Sequence, residues 1–330
     1  CVENDLDKNA PVEKGMAILN ASIEHGSTKT SLVDAGDRIY KQIWEPGDEV
    51  AVIPDDNKEI VRFTLSDGEG TPNGMFVGGR KGSVNVAYYP YENMKGVGDG
   101  ILNVYLPLVQ EYCEGTFAQG AYPMMGVSSS DVMDFKNLCS VLKVSLKGND
   151  PVNSIIFRSA SEDVKVAGYA TVATDFESVP CLEMDADAVS EVSLMCNGLV
   201  LNETDATDFY IVLPAQTYTG GFTLEILGPS GVMTKTADGD IVIERSQLRA
   251  IPEFVYEPEA LVEPSEEFEG EGTQQSPFLI NNVSDLLLFR DLVNTQGAEI
   301  KGVPAAQACY RQTADISLES ACGKLWGSWV

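Results

Sequence analysis

Histidine is nearly missing: 330 residues contain one, His25. A zinc site built on two or three imidazoles is therefore excluded, and any Ser-His-Asp or Cys-His mechanism would hang on that residue. His25 stands in "IEHGSTKT", a Gly/Ser/Thr-rich stretch that reads as a turn, so an ordinary exposed loop position is expected. Basic residues are also few. Against 50 Asp and Glu stand 22 Lys and Arg, a net charge of −28. That balance excludes nucleic-acid binding by phosphate neutralisation, and docking on an anionic membrane through a basic patch. No run of 18 or more apolar residues occurs, so no membrane-spanning helix is expected. None of the seven cysteines (1, 113, 139, 181, 196, 309 and 322) forms a C-x-x-C pair, which removes the zinc-ribbon and thioredoxin signatures. Cys139 and Cys196 lie in apolar, strand-like runs and read as buried thiols.

What is present is short-range alternation bounded by Gly, Asp, Asn and Pro, the pattern of an all-β chain. In "LCSVLKVSLKG", Leu142, Val144 and Leu146 share one face while Lys143, Ser145 and Lys147 take the other. In "GGFTLEIL", Phe222, Leu224 and Ile226 alternate with Thr223 and Glu225. Sheets with one buried and one wet face follow, hence sandwiches. No amphipathic helix separates successive strands, which argues against a parallel α/β fold.

The polar break "GVSSSDVMD" divides this run, giving expected β-sandwich domains over residues 16–130 and 131–256, behind a tether at 1–15. Eight glutamates lie from Glu253 to Glu271, and residues 257–272 read as a charged, extended linker. A small module over 273–330 follows. Ser284 is placed to cap a short helix with Leu286, Phe289, Leu292 and Val293 at helical spacing, and "YRQTADISLESACGKLWGSWV" continues as one or two short strands.

The Gly-rich stretches "DGEGTPNGMFVGG" and "MKGVGDG" lack the phosphate-loop pattern and read as turns between strands. The acid pairs Asp185/Asp187 and Asp238/Asp240 complete no calcium loop and read as solvated turns. In "IWEPGDEVAVIP", Pro46 and Gly47 make a turn whose backbone Asp48 can bond. Trp44 there fits the end of a core better than a sugar-stacking surface. No nucleophile, base and oxyanion donor assemble, so neither an enzyme nor a cofactor or metal is expected.

Several stretches, in order, carry a resemblance: "AILNASIEHGSTKTSL", "IWEPGDEVAVI", "LPLVQEYCEGTFAQGAYPMMGVSS", "FKNLCSVLKVSLKGNDPVNSIIFRS", "VAGYATV", "FYIVLPAQTYTGGFTLEI" and "GVMTKTADGDIVIERSQL". Over residues 15–255 the set resembles the fimbrillin-like lipoproteins of Bacteroides-type bacteria. The resemblance implies two tandem transthyretin-like β-sandwiches and a role in a pilus (fimbrium) or in surface adhesion. It further implies partners that are other pilus subunits or copies of the chain itself, joined by strand exchange. In polymerising members an Arg- or Lys-specific protease removes the first strand. Residues 16–24, "MAILNASIE", match that strand by position, and Lys29 and Arg38 are the basic residues placed to be cut. A loosely inserted first strand would favour exchange; one hydrogen-bonded along both edges would weaken that reading.

Cys1 followed by Glu3, Asp5 and Asp7 is similar to the lipidated, acidic start of such proteins, which implies an outer-membrane anchor and a cell-surface location. Residues 270–330 resemble the opening of GLUG-type repeats of bacterial surface proteins. A stalk fimbrillin would end in its donor strand instead, so a tip-like subunit or independent adhesin with an unspecified surface ligand is implied. The rival expectation is a surface glycan-binding lipoprotein in which Trp326 and Trp329 stack on sugar rings.

Overall fold

The computed structural model describes residues 16–24, 33–34, 40–55, 59–174, 179–259 and 263–316. These residues are predominantly β-strand, with one α-helix, Val283–Asn294. The chain divides into two compact units: Cys1–Pro229 with Met233–Pro258, and Ser230–Val232 with Glu259–Val330.

In the first unit, seven strands close a barrel. Their order is Ala17–Ile23, Val132–Asn137, Met124–Ser128, Asn85–Tyr89, Glu49–Pro54, Val61–Asp67 and Asn73–Gly78. Alternate side chains fill it, and the fully buried Trp44 joins that core. Phe76, Phe135 and Tyr89 meet the Trp44 ring edge-on, with centroids at 4.8, 5.5 and 5.6 Å. Trp44 is thus a core residue, as its place before the Pro46-Gly47 turn suggests. Each Gly-rich stretch holds a hairpin turn together with a flanking strand, residues 68–72 leading into Asn73–Gly78 and Asp99-Gly100 joining Met94–Gly98 to Ile101–Leu106. Gly68 has φ +92°, and a Cβ there would lie 2.1 Å from the Asn73 carbonyl oxygen.

The expected boundary near residue 130 falls inside this barrel. Ser128–Ser130 turn the chain between two of its neighbouring strands, Met124–Ser128 and Val132–Asn137, which pair antiparallel. The two halves also trade strands. Val109–Cys113 runs parallel to Glu191–Val200 in a six-stranded sheet of the later half. Conversely, Gly168–Ala173 pairs with Ile101–Leu106 of the earlier half. A single mixed core results, in which Ala51, Tyr88 and Met125 of the barrel strands meet Leu102, Val141 and Val212.

The later half packs the six-stranded sheet against a four-stranded one built on Cys139–Lys147 and Thr207–Pro214. Leu142, Val144 and Leu146 are fully buried, as are Leu224 and Ile226, with Phe222 nearly so. On the opposite face Lys143 pairs with Asp208 at 2.7 Å and Lys147 with Glu253 at 2.7 Å. The apolar face is buried as the period-two pattern requires, but Ser145 and Glu225 on the opposite face are also covered, each 9% exposed.

In the second unit the helix is capped by Asn282, not Ser284: the Asn282 side chain accepts the Asp285 N–H at 3.0 Å. Leu286, Phe289 and Leu292 pack on a small core, while Val293 is 38% exposed. Phe278–Ile280 and Tyr310–Gln312 form a parallel pair beside the helix. Phe268, inside the stretch expected to be a linker, is buried against Phe278 and Tyr310. Ser265 donates to Asp285 at 2.6 Å. One large apolar ring is enough to draw the end of an acidic run into a core.

Candidate functional site

The first strand, Ala17–Ile23, fills a slot with two walls. Residues 17–22 run antiparallel to Asn73–Gly78, with Leu19 opposite Phe76 and Ala21 opposite Gly74. Residues 20–23 run parallel to the start of Val132–Asn137, with Ala21 opposite Met133 and Ile23 opposite Phe135. Leu19, Ala21 and Ile23 point inward at 1%, 3% and 2% exposure. The backbone is secured at its ends too: Asn20 N–H donates to Asp131 O at 2.7 Å, Ile23 N–H to Pro72 O at 3.0 Å and Glu24 N–H to Phe135 O at 2.9 Å. The strand is therefore bonded along both edges, the arrangement that opposes spontaneous exchange.

Glu24 closes the strand with a clasp. Its Oε1 accepts from Asn137 N–H at 2.7 Å, from Ser246 Oγ at 2.8 Å and from Arg245 Nη1. Arg245 Nη1 also donates to Asn137 O at 2.9 Å, and Asn137 Nδ2 to Ser246 Oγ at 3.1 Å. Both charged side chains are only about a quarter exposed, at 25% for Arg245 and 22% for Glu24.

At another end of the barrel, Pro46–Glu49, Tyr89–Asn93, Pro107, 109–111 and 118–121 line an open cleft of about 440 Å³. Asp48 is buried in its wall. Tyr89 Oη and Gln119 Nε2 donate to Asp48 Oδ1 at 2.7 and 2.9 Å, and Glu45 N–H donates to Oδ2 at 2.8 Å. Burial outweighs these donors and holds the Asp48 carboxyl above its ordinary range, and Glu45 adds to the rise. The carboxylate's hydrogen bonds come from its own chain, so it braces the turn to the strand Asn85–Tyr89 and to the loop that carries Gln119. A raised pKa in the folded chain means the fold binds that proton more tightly than the unfolded chain does. Asp48's contribution to stability is then fullest at low pH and is lost as pH rises through the folded pKa. Asp48→Asn cannot ionise, so its urea midpoint relative to the parent is expected to improve between about pH 3.5 and 7. A difference that is the same at both pH values would contradict this.

Cys113, Cys139, Cys181, Cys196 and Cys309 are free. Burial pushes the Cys139 thiol far up and, with Glu111 nearby, that of Cys196 to about 12, so both remain protonated packing groups. Asp185, Asp187, Asp238 and Asp240 are exposed, as solvated turn residues are. Among the described residues no three His, Cys, Asp or Glu side chains converge to hold a metal ion. Cys1, His25, Lys29, Arg38, Trp326 and Trp329 lie outside the described residues. Lys29 and Arg38 do belong to the segment joining the first strand to the rest of the barrel.

No family model matches the chain, and no curated protein matches its sequence. Solved structures do. A candidate cell adhesion protein from Bacteroides uniformis aligns at 14% identity and a TM-score of 0.41, covering 69% of this chain and 89% of that one. A second, from Bacteroides ovatus, gives 14% and 0.40 over 68% and 87%. The tip fimbrial protein Mfa3 of Porphyromonas gingivalis, with its C-terminus truncated, gives 10% and 0.27 over 67% and 80%. At such identities and TM-scores the likeness decides neither topology nor function.

The clasp had no counterpart in the sequence reading. Its partners are 221 residues apart, and neither Glu24 nor Arg245 stands in a local pattern that singles it out. The placement of "MAILNASIE" in a buried strand, by contrast, follows from its alternation.

Proposed function

We propose that this chain is a non-catalytic, fimbrillin-like protein of the cell surface, either a tip-like or minor pilus subunit or an adhesin. It is anchored at the outer membrane through a lipidated Cys1. Its two strand-trading halves are taken as tandem transthyretin-like sandwiches, followed by a GLUG-like module. The observation that carries the reading is the ordered set of stretches over residues 15–255 that resembles fimbrillins. The first strand is paired along both edges in the barrel, which weakens spontaneous exchange.

Pairing along both edges makes spontaneous release costly, so exchange follows only a cut in residues 25–39, at Lys29 or Arg38. After such a cut the strand is held by non-covalent bonds alone, and a strand from another subunit completes the same two walls. The cut would also separate the barrel from its own lipid anchor.

Low-dose trypsin tests this. The expected result is one early nick at Lys29 or Arg38, followed by a ladder of higher oligomers on a gel. An intact chain with no oligomers would contradict the reading.

A further inference from the structure

The clasp that ends the first strand also reaches into the later half of the first unit. We infer that it is a conformational latch between the two halves. While Glu24 is seated, the turn at residues 244–247 holds the edge strand Leu248–Ala250 in place; when Glu24 leaves, the turn relaxes and that strand loosens. The latch belongs to the intact chain. Only its use, by which a cut at Lys29 or Arg38 is felt in the later half, rests on the strand-release reading above.

The connection itself is short. Arg245 and Ser246 lie between the strands Ile241–Ile243 and Leu248–Ala250. One oxygen, Glu24 Oε1, accepts from both of them and from Asn137 N–H, at the end of the barrel strand that leads into Cys139–Lys147. Departure of Glu24 therefore takes an ion pair and a second charge-assisted bond from one turn, and bonds to a charged acceptor are the strong ones.

The turn is strained. Ser246 has φ +60°, a left-handed conformation that a residue bearing a Cβ adopts only at a cost. Such a conformation persists where its surroundings over-determine it. The clasp does so from two sides: the Ser246 hydroxyl donates to Glu24 Oε1 at 2.8 Å and accepts from Asn137 Nδ2 at 3.1 Å. Loss of the carboxylate removes the charged member of that pair and leaves the backbone strain in place.

What the turn holds is the start of a short strand. Ser246 N–H donates to Cys139 O at 3.0 Å, and Val141 N–H donates to Gln247 O at 2.9 Å. These bonds open the parallel pairing of Leu248–Ala250 with Val141–Lys143. The strand is three residues long and stands at the edge of its four-stranded sheet. A short edge strand begun by a strained turn is readily released. Leu248 packs on the mixed core, so the release reaches the place where the two halves meet.

Amide hydrogen exchange, read by NMR on the intact chain, tests the latch. Glu24→Gln is expected to speed exchange about tenfold at Ile23 and, in the later half, at Val141 and Ile251, whose N–H donates to Lys143 O. Phe157 and Leu224, paired inside the six-stranded sheet, should keep the parent rates. Ser246→Gly removes the hydroxyl but suits the left-handed backbone. Adding it to Glu24→Gln should therefore restore protection at Val141 and Ile251 while Ile23 stays fast. Faster exchange at Ile23 alone in Glu24→Gln would overturn the latch and leave strand release standing, since that reading is judged by the trypsin ladder. Acceleration that includes Phe157 and Leu224 would mark a general loss of stability and overturn it as well. Unchanged rates throughout, or no restoration by Ser246→Gly, would do the same.

Discussion

Removal of residues 1–24 is expected to abolish the monomer. The truncated chain loses Leu19, Ala21 and Ile23 from the barrel core and bares Asn73–Gly78 and Val132–Asn137 as facing free edges. Two large aliphatic side chains at about 2–3 kcal/mol each, with a methyl besides, amount to roughly 5 kcal/mol. That is comparable with the whole stability of an ordinary domain. Paired free edges flanking an apolar trough also invite intermolecular strand pairing. Size-exclusion chromatography with mass detection should show oligomers or aggregate, and a peptide of residues 16–24 supplied during refolding should restore monomer. A soluble monomer whose unfolding midpoint lies within about 2 °C of the parent would contradict this account of the slot.

Trp44→Ala should destabilise the first unit by about 3–5 kcal/mol, the range for deleting a large aromatic from a packed core. Trp44 touches three aromatic rings that belong to three different barrel strands: Phe76, Tyr89 and Phe135. Its loss leaves a cavity bordered by all three, and the tight approach of Gly74 to Trp44 Cδ1 offers no side chain able to fold into it. The indole Nε1 has no hydrogen-bond partner among the described residues, so the nitrogen adds nothing favourable. Trp44→Phe should accordingly cost much less than Trp44→Ala. Guanidinium unfolding followed by circular dichroism checks both, and a loss under about 1 kcal/mol for Trp44→Ala would show that the site repacks freely. Because Ile23 and Leu19 share this core, Trp44→Ala should also loosen the first strand.

Much of the fold could be read from the residues, wherever the determinant is local. Leu142, Val144 and Leu146 alternate with Lys143, Ser145 and Lys147; the three apolar residues are buried and the two lysines are partly exposed, while Ser145 is covered as well. The Pro46-Gly47 turn and the burial of Trp44 follow from one short stretch. The helix Val283–Asn294 was legible from the spacing of its apolar residues, although its cap is Asn282 and Ser284 lies inside its first turn. What escaped was pairing between distant segments. No pattern in "VQEYC" tells that Val109–Cys113 will join Glu191–Val200 in the other half, because an alternating strand fits any sheet of the right face. The domain boundary failed for that reason. Phe268 was hidden by the charge of its neighbours, since composition averages over a window while one ring decides burial. The candidate site divides in the same way: the strand was legible, and the Arg245 clasp that ends it was not.

Exchange of the first strand between molecules can be watched directly. Nicked protein prepared with natural isotopes is mixed with nicked protein uniformly labelled with the heavy nitrogen isotope, and native mass spectrometry follows the complexes. The account predicts light strands on heavy barrels and heavy strands on light barrels, appearing after the nick and absent from the uncut mixture. Nicked molecules that keep their own strands indefinitely, with no mixed species, would contradict it.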